Sequence, residues 1–181
     1  LAIDVQNDSD TCLLTACTLA GGSPWVFKIE TSSSALATYD FSGLFLNNCN
    51  PSLQPVVTFT SITFSGCGEL GASALNGSDM SGGGVVVSKS RSTTAAVSIA
   101  GSTQAEIQAL LDKWSNCALN NNTVALKILY TGSADISLTA DNITFTGNTT
   151  DVEFNATDAA APSCTITQSN GSNMSQAKST A

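Results

Sequence analysis

The residues that could carry chemistry here are few. The 181-residue chain has no histidine, which removes Ser-His-Asp and Cys-His nucleophilic arrangements and imidazole-based zinc or iron sites. It has no glycine-rich dinucleotide or phosphate-loop pattern to support nucleotide binding. Glycoside hydrolysis needs only two carboxylates, so the glutamates Glu30, Glu69, Glu106 and Glu153 must be weighed. Glu106 stands three residues after Thr103, the spacing of a capping box. Glu30 and Glu153 alternate with apolar residues in strand-like runs. Glu69 follows Cys67-Gly68 in an irregular stretch and is the one candidate, without an identifiable partner. No catalytic residue is assigned, and a hydrolase centred on Glu69 is the minor alternative.

Oxygen ligands raise the question of calcium. Asn7, Asp8 and Asp10 cluster near the start, while Asp135, Asp141, Asp151 and Asp158 fall in turn-like segments of the last third. Hard oxygen donors on loops suit Ca²⁺. None of these residues has EF-hand or nonapeptide-repeat spacing, and Asp is also a turn former. No metal site is assigned, and the expected non-protein component is covalent N-linked glycan alone.

That expectation rests on Asn-x-Ser/Thr acceptor sequons at Asn7, Asn76, Asn121, Asn142, Asn148, Asn155, Asn170 and Asn173. The Ser and Thr content would place about four asparagines in that context by chance. The excess points to a secreted glycoprotein. Six cysteines, Cys12, Cys17, Cys49, Cys67, Cys117 and Cys164, fit three disulfides in an oxidising compartment. Six cysteines allow fifteen pairings; pairing of nearest neighbours gives Cys12–Cys17, Cys49–Cys67 and Cys117–Cys164. Net charge is −8, with six scattered Lys and Arg, so nucleic acid and anionic lipid are unsuitable partners. No apolar run is long enough to span a bilayer. The chain opens on Leu-Ala-Ile-Asp without a charged leader, which reads as a mature secreted product.

The elements that must position these residues are mostly short strands. Trp25, Phe27 and Ile29 alternate with polar or smaller neighbours, as do Val124 to Tyr130, Ile136 with Leu138, Ile143 with Phe145, and Val152 with Phe154. The run from Val56 to Phe64 changes phase at Thr60-Ser61, which predicts a bulge or tight turn. Glycine and asparagine clusters punctuate the runs. Many strands with close turns predict an all-β fold, an antiparallel β-sandwich or jelly roll of the Ig- or pilin-like kind. One crossover helix is expected near 103–116, with Ile107, Leu110, Leu111 and Trp114 as its apolar stripe. The near-repeats Ile62-Thr-Phe-Ser-Gly66 and Ile143-Thr-Phe-Thr-Gly147 suggest a parallel β-solenoid as the minor alternative, since only two copies occur.

At the start, Leu1, Ile3 and Val5 alternate with Ala2, Asp4 and Gln6. This β segment resembles the N-terminal extension of chaperone–usher pilins and similar donor-strand filaments. The resemblance implies a non-enzymatic extracellular subunit whose first strand, through Leu1, Ile3 and Val5, completes the sheet of an identical neighbour in a head-to-tail polymer. Domain organisation follows: residues 1–7 as the donor extension, 8–168 as one β-sandwich domain, and 169–181 as a polar tail. The alternative is a secreted carbohydrate-binding or adhesive module, with Trp25, Tyr39 and Tyr130 as candidate stacking aromatics.

Overall fold

The computed structural model of the chain describes residues 1–7, 11–32 and 37–180. In chain order its elements begin with β1 (Ala2–Val5), β2 (Thr11–Leu13), β3 (Thr18–Thr31), β4 (Thr38–Asp40), β5 (Phe45–Leu53) and β6 (Thr63–Ser65). A short helix α1 (Ala72–Leu75) precedes β7 (Val85–Ser88) and β8 (Val97–Gly101), and helix α2 (Gln104–Asp112) precedes β9 (Cys117–Asn120). The remainder is β10 (Val124–Tyr130), β11 (Ile136–Ala140), β12 (Thr144–Thr146), β13 (Thr150–Ala156), β14 (Cys164–Gln168) and β15 (Gln176–Thr180).

These strands form a parallel β-solenoid of about six turns. One seven-stranded sheet runs in the order β1-β3-β5-β6-β7-β9-β12, and a four-stranded sheet in the order β15-β13-β10-β8; β11-β14 and β2-β4 form two smaller pairs. Every pairing among these strands is parallel. The antiparallel sandwich or jelly roll, and with it the Ig- or pilin-like architecture, is therefore corrected to a solenoid. The expected helix is not a sandwich crossover. It is an insertion in one rung, packed between β8 and β11.

The physical reason lies at the corners. Neighbours in the large sheet come from successive rungs, as Phe45↔Thr63, Thr63↔Val86, Val86↔Ala118 and Ala118↔Thr144, at spacings of 18, 23, 32 and 26 residues. Each rung enters this sheet through a residue in the left-handed region: Gly43, Ser61, Gly84, Asn116 and Asn142. It leaves through another: Asn48, Gly66, Lys89, Asn121 and Gly147. A single left-handed residue bends the chain sharply without a hairpin, and Gly and Asn accept that conformation most readily. The polar turn clusters are these corners, and the phase change at Thr60-Ser61 is the corner at Ser61, with φ of 54°. The two near-repeat pentapeptides occupy equivalent places, β6 and β12, in the same sheet.

Between its two corners each rung places two side chains inward: Leu44 with Leu46, Ile62 with Phe64, Val85 with Val87, Cys117 with Leu119, all buried, then Ile143 buried with Phe145 half-buried. Parallel strands lie about 4.8 Å apart, so like residues stack in columns. Phe41 stacks on Phe59 with ring centroids 5.7 Å apart, while Phe27 meets Phe41 and Phe64 meets Phe59 edge-on. Such pairs add about 0.5–1.5 kcal/mol beyond area burial. Residues 169–181 include the left-handed Gly171 and strand β15, which pairs with β13 from Val152↔Gln176 onward.

One interior column is polar. The residue after each exit corner points inward, and successive rungs there carry Cys49, Cys67, Ser90, Asn122 and Asn148. Cys49 Sγ lies 3.0 Å from Cys67 Sγ. Ser90 donates through Oγ to Cys67 O at 3.1 Å and through its amide to Asn122 Oδ1 at 3.0 Å. Asn122 Nδ2 donates to Asn148 Oδ1 at 3.2 Å and to Val87 O at 3.3 Å. Buried amides here satisfy backbone groups that the corner removes from the strand ladder.

Candidate functional site: an open strand edge and a cleft beside two helices

The first candidate is the edge of β1. The segment expected as a donor strand pairs within its own chain, in parallel register with β3 from Ala2↔Lys28 to Val5↔Thr31. Val5 is buried and Ile3 half-buried against the core, while Leu1 is 54% exposed. The Lys28 amide donates to Leu1 O at 2.9 Å and the Ser32 amide to Val5 O at 3.1 Å. In a parallel strand alternate residues bond to opposite sides, so residues 1, 3 and 5 serve β3, and Ala2 and Asp4 turn their backbone groups outward. Among the described strands β3 is the only partner of β1. Leu13 on β2 is 63% exposed at the same end.

The second candidate is a small cleft of about 90 Å³ lined by α1, β8 and the end of α2. Both described helices are insertions between strand positions, and both border this space. Insertions into a repeat architecture commonly build its binding face. α2 starts as its sequence requires: the Glu106 amide donates to Thr103 Oγ1, and Glu106 Oε2 accepts from the Thr103 amide, both at 3.2 Å. Its stripe buries Ile107, Leu111 and Trp114 against the core and leaves Leu110 half-buried in the cleft wall. Leu70, Leu75 and Ile99 complete an apolar floor, with Ser78 and Ser98 as hydroxyls. Lys113 is the cation of the lining; its Nζ donates to Gly77 O at 2.6 Å and has two further protons to offer.

Glu69 edges an adjoining groove that shares Gly71, Ala72 and Ser98 to Ala100 with the cleft. Burial alone would raise its pKa. Hydrogen bonds from Ser98, Thr94 and Ser92, with the charge of Lys127, instead hold the carboxyl below its ordinary range. A glycosidase acid needs the opposite shift, and the groove lining supplies no second carboxylate. The sequence singled out Glu69 but gave no signal for Lys113, which reads as an ordinary helix-end lysine.

The other expected site residues are dispersed. Asn7, Asn76, Asn121, Asn142, Asn170 and Asn173 are exposed, and Asn155 is half-buried on β13. Asn148 is half-buried, with Nδ2 donating to Leu119 O at 2.8 Å and Asp151 Oδ1 at 3.0 Å. Cys49 and Cys67 are brought into contact; Cys117 Sγ instead faces the carbonyls of Met80 and Ser115. Burial pushes the thiols of Cys117 and Cys164 up to about 12 and about 11, with Asp79 adding to the first. Asp8 and Asp10 lie outside the described residues, and among the described ones no group of three His, Cys, Asp or Glu could hold a metal. Asp141, Asp151 and Asp158 accept hydrogen bonds within turns or between rungs. Tyr130 is buried, and Trp25 and Tyr39 are half-buried, with Trp25 Nε1 donating to Asn47 O. Among the described residues no helix is long and apolar enough to cross a membrane. No protein family matches the chain, and no curated protein or solved structure matches it either.

Proposed function

We propose that the chain is a structural subunit of an extracellular, glycosylated filament, in which identical copies stack end to end. The observation that carries this reading is the edge of β1, whose Ala2 and Asp4 backbone groups face away from β3 beside exposed Leu1 and Leu13. An unpaired edge is a template for another strand. Because all strands of the solenoid run parallel, the last rung of one copy meets the first rung of the next in the same direction. Such a head-to-tail contact repeats without closing, which builds a fibre. Leu1, Ile3 and Val5 then act by holding β1 on β3 as a stacking platform, in place of insertion into a neighbour.

Electron microscopy and sedimentation of the protein as secreted test this directly. Regular fibres are expected, with the Asp4→Pro variant folded but monomeric, because proline removes only the outward amide. A wild type that stays monodisperse at every concentration, or an Asp4→Pro variant that polymerises equally, refutes the reading.

The cleft favours a second reading, a secreted binding module for a small ligand with an apolar body and one anionic group. The apolar floor would take the body and Lys113 the anion. Titration with a series of aryl and alkyl carboxylates would show saturable binding, lost in Lys113→Met and absent for the matching amides. Equal binding of acids and amides would remove Lys113 from the account.

A further inference from the structure

The polar corner column changes its chemistry along its length, and the change points to a covalent bond. At Asn122 and Asn148 the rungs are tied across the corner by side-chain amides. Cys49 and Cys67 hold the equivalent places three rungs earlier, since Asn47↔Ser65 and Asn120↔Thr146 are register partners and each pair stands two residues beyond them. Both thiols are buried, and a thiol is a weak hydrogen-bond donor and acceptor. It cannot tie two rungs as an amide does. Adjacent parallel strands set Cα atoms about 4.8 Å apart, inside the range that a disulfide spans without moving the backbone. The sulfurs already lie 3.0 Å apart.

The surroundings hold this corner in register. The Gly68 amide donates to Cys49 O at 3.0 Å. Arg91, from the next rung, crosses both earlier rungs and donates to Gly66 O at 3.0 Å, to Cys49 O at 3.4 Å and to the side chains of Asn48 and Asn50. It stands over the pair as a clamp with its charge spread across three rungs.

We propose that Cys49 and Cys67 form a disulfide between consecutive rungs. The oxidant is an external disulfide, small-molecule or protein-borne. One cysteine thiolate attacks it, forming a mixed disulfide and releasing one external thiol. The second cysteine then displaces the remaining external sulfur, so that two thiols and one external disulfide become the Cys49–Cys67 bond and two external thiols. Each proton lost by a cysteine leaves on an external thiol. Because both residues are buried, exchange takes place while the chain folds or when the corner opens, and the closed bond is thereafter shielded from reductant. Cys117 Sγ lies against the Met80 and Ser115 carbonyls.

The test is peptide mapping of the full chain after refolding with oxidised glutathione, with thiols alkylated in denaturant and no reductant added. Chymotrypsin can cut after Phe59 and Phe64, between the two cysteines. The expected result is a linked pair containing Cys49 and Cys67. The Cys49→Ser variant should show no linked pair and a Tm lower by about 10 °C. Recovery of Cys49 and Cys67 as alkylated thiols, or of either one joined to another cysteine, overturns the proposal.

Discussion

The two ends of the corner column face the same problem with different chemistry. At the Asn122–Asn148 end, each amide both donates and accepts, so the column satisfies the amide of Ser90, the carbonyls of Val87 and Leu119, and the amide of Asn122 itself. At the Cys49–Cys67 end the two sulfurs meet, Cys67 Sγ also faces the Leu46 and Ser65 carbonyls, and the carbonyls of Gly66 and Cys49 are met from outside by Arg91. The amide end is therefore a hydrogen-bond network whose members depend on one another. The cysteine end separates its tasks, with the sulfurs joining rungs and the arginine satisfying carbonyls. Damage should spread further at the amide end.

The largest expected effect follows from that dependence. Asn122→Ala leaves the Ser90 amide and the Val87 carbonyl without their partner inside a closed corner, and each buried orphan costs about 1–3 kcal/mol. A loss of about 3 kcal/mol is expected, or roughly 9 °C in Tm for a domain of this size. Asn50→Ala, which removes one acceptor from Arg91 at an exposed position, should cost under about 1 kcal/mol. Equal losses in thermal denaturation would erase the contrast between the two ends.

This column was only partly legible in the sequence. Cys49 and Cys67 were readable as neighbours in a disulfide set, but Asn122 and Asn148 looked like turn residues or glycan acceptors. The solenoid itself was hidden because its repeat is geometric. The entry corner needs a left-handed residue, which the chain supplies as Gly43, Ser61, Gly84, Asn116 and Asn142 in turn, and rung length is altered by the α2 insertion. Only Ile62 to Gly66 and Ile143 to Gly147 share enough identity to be seen. Alternation of apolar and polar residues served equally for a sandwich, since a solenoid strand also has one face inward. The capping box at Thr103 and Glu106 was legible because it is local, whereas the Lys113 cleft was not, because it joins residues from two distant insertions.

The sequon excess also takes on a second cause. Asn76, Asn121 and Asn142 all have positive φ, a conformation that asparagine tolerates better than most residues. In a rung the second residue after such a corner lies on an outward or strand-starting position, where Thr is favoured. Asn142-Ile-Thr144 is such a case: corner, inward Ile143, outward Thr144 at the head of β12. Corners and strands alone thus generate part of the Asn-x-Thr pattern, and Asn148 is held by its own amide bonds. Glycans are best sought at Asn121, Asn170 and Asn173.

A middle-sized effect is expected at two corners that share a conformation but differ in space. Gly66 and Gly147 have φ of 62° and 68°. A Cβ on Gly147 would lie 2.5 Å from Asn121 Oδ1, whereas on Gly66 its nearest neighbour would be 3.6 Å away. Left-handed backbone costs a residue with a side chain about 1–2 kcal/mol. Gly66→Ala and Gly147→Ala should each lose about 1–2 kcal/mol by urea denaturation, because Asn121 Oδ1 ends an exposed side chain that can turn aside. A markedly larger loss at Gly147 would mean that the Asn121 side chain is held in place.

The smallest effect is expected at Asn121. It stands exposed at its corner with φ of 55°, between the inward Leu119 and the inward Asn122, and its task is conformational. Asn121→Gly keeps the left-handed bend, so the change in stability should stay within a few tenths of a kcal/mol. The same substitution deletes a sequon, so the mass of protein produced in a glycosylating host reports separately whether a glycan was attached there. A stable variant with unchanged mass would assign Asn121 to the geometry of the corner alone. A fall in Tm of several degrees would show that its side chain, like that of Asn122, takes part in the network that ties the rungs.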